Sequence, residues 1–462
     1  MSMALNRPSR WLCMCALFAV CLILRTGVAL LIDSSVHVIK RADVYSEIAA
    51  NLTHGHGFVA EPESEAILWR APAYPAFLAA VYELFGEHNE IAVLLAQAVL
   101  DSMTAMLIVY IGTRQFGPTV GCVSAVLFAL HPLSAYYTLR FLTEPLFTFV
   151  FTASIAAWGA AMQTRRLTAF VAVGVLIAGT ALVKPVALSL WPCLVAAACY
   201  QFRRAPVYAL SVSVAMSIAC LLVLTPWALR NHRLTGQLVV VATGGGYALW
   251  LGNQTVSEGL EDWEVDTATR EHLDNLRGAV MAKTEGSVHR LMGVSNHQTA
   301  PSATHPVQIT VEEDRAFLHA AWREIVDHPF ESALLTVRKM FRFWFRIFLP
   351  DNRWAQSYIV VFQTVSLALA LLGIRYAERR EEVFLVLVVP ILVLVAAHAV
   401  TFSTIRYSIP TIPVMTVLVT AGLRELASRW VASHSVGGNR WLRLSPVKDL
   451  AAIYGLYRGR RS

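Results

Sequence analysis

Long apolar runs separated by short polar connections dominate this chain. They cover residues 11–32, 90–111, 117–137, 142–162, 167–183, 185–200, 206–227, 357–376, 383–401 and 407–426. Most approach the roughly 20 residues that span about 30 Å of hydrocarbon, so the pattern predicts an all-α polytopic membrane protein with about ten transmembrane helices. The first run could be read as a cleaved signal peptide. Its length, the absence of a small-x-small cleavage pattern after it, and Arg25 within it favour a retained helix. Residues 73–85 are apolar but short, bounded by Pro75 and Gly86, and predict an interfacial or re-entrant helix. Residues 167–200 are almost continuously apolar. Each half, about 17 residues, would make roughly 25 Å of helix, with Lys184-Pro185 at the turn between them.

The polar stretches divide the rest. Residues 1–228 form a membrane module whose first loop, 33–89, is dense in ionisable groups; 229–355 form a polar loop region with interfacial helices; 356–427 return to the membrane; 428–462 make a basic tail. Within the loop region 255–306 shows little periodicity, and 338–346 alternates cations with aromatics, as suits a helix lying in the headgroup layer.

Composition agrees with a membrane protein. Hydrophobic residues make up 56% and charged residues 15%, against about 25% charged in a soluble domain. The net charge of +7 does not indicate nucleic acid, because the arginines sit in short clusters between apolar runs and in the tail. With the N-terminus in the cytoplasm, Arg114, Arg165-Arg166, Arg203-Arg204, Arg375, Arg379-Arg380 and the tail all fall on the inner side, as the positive-inside rule requires. All seven cysteines lie in apolar runs without metal-ligand spacing, so neither a disulfide nor zinc is expected.

This orientation places Asp43, Arg70, Arg140, Glu144, Lys184, Arg230 and Arg406 at the outer boundary. One arginine there is ordinarily a snorkelling headgroup contact. Seven ionisable residues from different segments suggest a shared polar cavity, because each costs free energy unless solvated, paired or functional. Cations holding phosphate oxygens, with a carboxylate to take an acceptor proton, suit group transfer from a lipid-linked phosphate.

At these positions the sequence resembles the GT-C glycosyltransferases of the protein mannosyltransferase and aminoarabinose transferase type. The matching motifs are Arg41-Ala42-Asp43-Val44-Tyr45, Gly55-His56-Gly57-Phe58, Arg70-Ala71-Pro72-Ala73-Tyr74-Pro75, Leu142-Thr143-Glu144-Pro145, Leu182-Val183-Lys184-Pro185, Pro226-Trp227-Ala228-Leu229-Arg230-Asn231, Leu251-Gly252-Asn253 and Arg406-Tyr407-Ser408-Ile409-Pro410. The resemblance implies GT-C architecture with extracytoplasmic loops and a polyprenyl-phosphate sugar as donor. It also implies Asp43 as catalytic base, Arg70, Lys184, Arg230 and Arg406 at the donor phosphate, and Tyr45, Tyr74, Glu144, Asn253 and Tyr407 as candidate substrate contacts. Two departures stand out. Val44 follows Asp43 where protein mannosyltransferases carry a Glu, which weakens the case for a protein Ser/Thr acceptor, and Lys184 replaces a frequent Arg, keeping the charge without the bidentate fork.

The expected activity is therefore transfer of a sugar from polyprenyl phosphate to an extracytoplasmic lipid, glycan or protein, with inversion. No cofactor or metal is expected; the partners are the lipid-linked sugar, membrane lipids and the acceptor, in a bacterial inner membrane with both termini cytoplasmic. The alternative is a transporter or flippase of a lipid-linked sugar, which should show internal repeats and charges near mid-membrane. His54 and His56 read as turn residues, and Gly244-Gly245-Gly246 lacks a nucleotide-binding spacing, reading instead as a sharp bend or a close approach of the backbone to a ligand.

Overall fold

Lipid offers backbone polar groups no partners, so apolar runs of this kind become helices. The computed structural model describes residues 7–31, 44–256, 267–282, 309–346 and 353–434, and every apolar run is helical in it. In chain order the first helices are α1 (Arg7–Leu31), α2 (Tyr45–Thr53), α3 (Ala73–Phe85), α4 (Glu90–Phe116), α5 (Pro118–Ala129) and α6 (Pro132–Thr138). They are followed by α7 (Glu144–Thr164), α8 (Leu167–Val183), α9 (Leu190–Gln201) and α10 (Pro206–Thr235). The polar region contains α11 (Gly245–Gly252), α12 (Thr267–Met281), α13 (Val311–Asp327) and α14 (Pro329–Phe345). The chain returns to apolar helices at α15 (Arg353–Arg375), α16 (Arg380–Val400) and α17 (Ile412–His434). No strand occurs among the described residues.

Six of these helices are long and apolar enough to cross a membrane, or seven if α5 and α6, bent by 57° at the His131-Pro132 break, count as one span. The apolar parts of α1, α8 and α9 are shorter. The protein is an integral, multi-pass membrane protein.

Two features fix the helices against one another. Gly373 of α15 faces Gly422 of α17 so closely that a Cβ on Gly422 would lie 2.0 Å from the Leu369 carbonyl oxygen, the small-residue contact by which membrane helices approach. Arg25 of α1, charged inside an apolar run, pairs with Asp101 of α4 at 2.5 Å and also donates to the carbonyls of Phe128 and Ala129, where α5 ends. Arg25 thus meets its desolvation cost with a counter-charge and with the carbonyls left open by the break.

The connections gather at two ends. At one, Gln115 and Gln163 both donate to Glu382, Arg424 donates to the Phe116 carbonyl, and the Tyr208 hydroxyl to that of Arg165. At the other stand Glu144, Lys184 and Arg406, with α11 to α14 beyond them. In that outer layer α13 starts with a complete capping box, the Thr310 side chain accepting from the Glu313 amide and Glu313 accepting from that of Thr310.

Candidate active site

Local sequence positions the charged groups. Pro185 cannot continue α8 and drives the preceding residue extended, so Lys184 leaves the helix at φ −141°, ψ 120° before the 3-10 turn Pro185–Ser189. Glu144 opens α7, with Pro145 next, where a helix favours a negative charge. Arg406 stands in the 3-10 turn Ile405–Thr411 ahead of α17.

These three residues meet. The Lys184 ammonium donates to Glu144 Oε1 at 2.7 Å, and Arg406 Nε to the same oxygen at 2.5 Å, with its Nη2 3.4 Å from Oε2. Glu144 is fully buried, while Lys184 and Arg406 keep part of their surface open. The carboxylate therefore sits behind the cations and orients them. The Lys184 ammonium also lies 5.3 Å from the Tyr407 ring and 5.5 Å from that of Phe147.

Lys184 faces a cavity of about 830 Å³ whose walls include Trp69, Arg70, Thr243, Tyr247, His398 and Tyr407. Arg70 packs on the Trp69 ring at 3.7 Å and the Tyr45 ring at 5.1 Å. Tyr407 stacks on His398 with centroids 4.2 Å apart. The Trp69 indole N–H and His398 Nδ1 are buried without a hydrogen-bond partner among the described residues, two polar atoms on the cavity wall that a ligand could engage.

The other residues singled out in the sequence lie elsewhere. Arg230 is not on the cavity wall: it donates to the Ile67 carbonyl at 3.0 Å and lies against Trp227 and Phe58. Tyr74 is fully buried and donates to Gln97. The amide of Asn253 donates to the carbonyls of Leu249 and Val400, and its oxygen accepts from Lys339. Arg140 pairs with the Tyr136 hydroxyl. Asp43, along with the 257–266 and 283–308 stretches and the end of the tail, lies outside the described residues; Tyr45, two positions after Asp43, opens α2 against Arg70. Among the described residues no three His, Cys, Asp or Glu side chains gather as metal ligands would.

Two side chains had no clear signal in the sequence. Arg277 reaches the cavity from α12, and His398 from the end of α16. The glycine run 244–246 leads into α11, whose N-terminal amides are taken up by Asp314 of α13, with the Tyr247 N–H at 3.0 Å from its Oδ1. A Cβ on Gly246 would come 1.9 Å from the Asp314 carbonyl oxygen, so this run lets two helices touch.

Comparison with known proteins agrees with this architecture. The archaeal oligosaccharyltransferase AglB from Archaeoglobus fulgidus, in complex with an inhibitory peptide and a dolichol-phosphate, matches with a TM-score of 0.53 and 12% identity over 96% of this chain and 55% of that one. Its apo form gives the same TM-score. ArnT from Cupriavidus metallidurans bound to undecaprenyl phosphate matches at 15% identity over 92% of this chain and 80% of that one, with a TM-score of 0.39. The chain spans about half the length of AglB. No curated protein matches the sequence. The fold is similar to that of AglB. Within it, residues 69–229 match the dolichyl-phosphate-mannose-protein mannosyltransferase family, a stretch that includes Arg70, Glu144 and Lys184.

Proposed function

We propose that the protein is a glycosyltransferase that moves a sugar from a polyprenyl-phosphate carrier to an extracytoplasmic acceptor, with inversion at the anomeric carbon. The observation that carries this reading is the cavity itself, where Lys184, fixed by the buried Glu144 that it shares with Arg406, faces the same space as Arg70. AglB, with the same fold, is described in complex with a dolichol-phosphate.

An acceptor hydroxyl oxygen attacks the anomeric carbon, the bond from that carbon to the phosphate oxygen breaks, and its electron pair stays on the phosphate. Lys184 and Arg70 bind the phosphate, and because its charge grows as the sugar departs, they hold the transition state more tightly than the ground state. Asp43 takes the acceptor proton. Lipid contacts hold the carrier's chain, and the site faces away from the cytoplasm of a bacterial inner membrane. The transporter alternative draws no support from the fold or the family match.

The purified protein, reconstituted in lipid with polyprenyl-phosphate sugars and envelope acceptors, should transfer a sugar. Asp43→Asn should bind the carrier and fail to transfer, since an amide keeps the carboxylate's shape but is not a base at neutral pH. Unchanged turnover in Asp43→Asn would remove Asp43 from the reaction.

A further inference from the structure

A second cavity lies at the other end of the molecule from Glu144, where the arginine-rich connections gather. Its volume is about 520 Å³, and it is lined by Tyr200 at the end of α9, Ile374 of α15, and Arg380, Glu381, Phe384 and Leu385 of α16. A π-helical turn, Phe384–Val388, shapes the wall on the α16 side. The Trp158 indole of α7 donates to the Leu385 carbonyl at 3.0 Å and pins that turn from within, while Phe384 stays exposed. Wide turns of this kind are frequent at functional sites. The charge at the mouth is net positive. Arg203, just beyond α9, donates to the Tyr200 carbonyl at 2.9 Å and stacks on the Tyr200 ring at 4.4 Å. It comes no closer than 3.9 Å to Glu381, and both side chains are at least half exposed, so water screens that pair. The Arg380 side chain has no hydrogen-bond or ion-pair partner among the described residues, and the next carboxylate, Glu382, is engaged by Gln115, Gln163 and Arg379. Two arginines thus face one carboxylate at the mouth. An apolar crevice between membrane helices with cations at its mouth suits an acyl chain joined to an anionic headgroup. A water-soluble anion would leave Ile374, Phe384 and Leu385 unmet, and a lipid without net charge would leave Arg380 unmet.

We propose that this crevice binds a phospholipid with an anionic headgroup, of the phosphatidylglycerol class, with an acyl chain against Ile374, Phe384 and Leu385 and the phosphate at Arg380 and Arg203. Bound there, the lipid joins the end of α9 to α15 and α16, at a place separate from the cavity that Lys184 faces.

The test uses the full chain, purified in neutral detergent at low ionic strength and titrated with phosphatidylglycerol, phosphatidylcholine or undecaprenyl phosphate while native mass spectrometry counts the bound lipid. Phosphatidylglycerol should bind more tightly than phosphatidylcholine. Arg380→Gln should weaken phosphatidylglycerol binding about fivefold, the value of one arginine near an anionic lipid surface, and leave phosphatidylcholine binding unchanged. Arg380→Lys should restore most of the loss, and Glu381→Gln, which removes the carboxylate at the mouth, should tighten binding. Ile374→Trp, which fills the crevice, should weaken both phospholipids. Arg380 is exposed, so its variants decide the matter whether or not Ile374→Trp folds. The proposal is overturned if phosphatidylglycerol binds no more tightly than phosphatidylcholine, or if Arg380→Gln binds it like the parent. Displacement of phosphatidylglycerol from the Arg380-dependent site by an equal concentration of undecaprenyl phosphate would give the crevice to the sugar carrier and overturn the phospholipid assignment as well.

Discussion

Glu144 joins residues that are 40 and 262 positions away in sequence, Lys184 and Arg406, and it does so with no exposed surface of its own. Hydropathy placed all three at one membrane boundary, yet it could not say that the carboxylate lies between the cations, since that depends on how α7, α8 and the turn before α17 pack. Glu144→Gln would leave two cations against a neutral amide. Breaking a buried pair from one side costs about 3 kcal/mol or more, so we expect a clear fall in thermal stability together with lost turnover. Lys184→Ala removes a group that faces the cavity. If the loss resembles that of an oxyanion donor, single-turnover transfer should drop by about 10² to 10³, with carrier binding reduced less and with EDTA making no difference. Parental rates in Lys184→Ala would dismiss the phosphate clamp. Arg230 tests the boundary of that clamp. It carries the same kind of sequence motif, but its hydrogen bond to Ile67 and its contacts with Trp227 and Phe58 tie α10 to the first loop. Arg230→Ala should therefore lower the melting temperature while transfer per folded molecule changes much less than in Lys184→Ala.

The helix α14 shows how one element can follow its sequence pattern on one side and depart from it on the other. Phe330, Leu334, Val337 and Phe341 leave an exposed apolar stripe, as a helix in the headgroup layer should. Lys339, part of the same cation-aromatic alternation, instead points inward and is fully buried. Its ammonium donates to the carbonyls of Gly252 and Thr401 at 2.8 Å each and of Val400 at 3.2 Å, so a single side chain closes the C-terminal ends of both α11 and α16. A cation in a polar alternation reads as exposed until the carbonyls of distant helices are known, and nothing local encodes them. Lys339→Met would leave those carbonyls buried without a donor, and a loss of about 2 to 4 kcal/mol is expected from several acceptors together. A pH dependence follows as well. Burial, reinforced by the nearby Arg342 cation, pushes the Lys339 amine down to about 7, whereas in the unfolded chain it would titrate near its ordinary value of about 10.4. Between those values the unfolded state binds more protons, so the contribution of Lys339 makes the fold more stable as pH rises across that window. Melting curves in neutral detergent should show a rise between pH 7 and 10 that flattens in Lys339→Met; equal slopes in the two proteins would refute the shift.

Across the molecule the apolar runs were readable because hydropathy alone sets where a chain can enter lipid, and all are helical, though run 117–137 is broken into two helices and runs 185–200 and 407–426 open on 3-10 turns. The bend at His131-Pro132, the Arg25–Asp101 pair and the cavity entry of Arg277 depended on long-range packing and were not. The orientation of the whole rests on charge. The connections carrying Arg114, Arg165, Arg203, Arg379 and Arg424 come together at one end through contacts such as Gln163 with Glu382 and Arg424 with the Phe116 carbonyl, while Glu144, Lys184 and Arg406 occupy the other. If the arginine-rich end faces the cytoplasm, as positive charges near span ends generally do, then α12 and the cavity face outward and α17 runs inward to His434. Single cysteines at the exposed positions His272 and Ser428, introduced after replacing the seven native cysteines, give a direct check with a membrane-impermeant maleimide. In intact cells or right-side-out vesicles His272→Cys should react and Ser428→Cys should not, and inverted vesicles should exchange the two results. Reaction of both from the same side would mean that the arginine-rich end and the cavity do not lie on opposite faces, and the extracytoplasmic assignment of the reaction would fall with it.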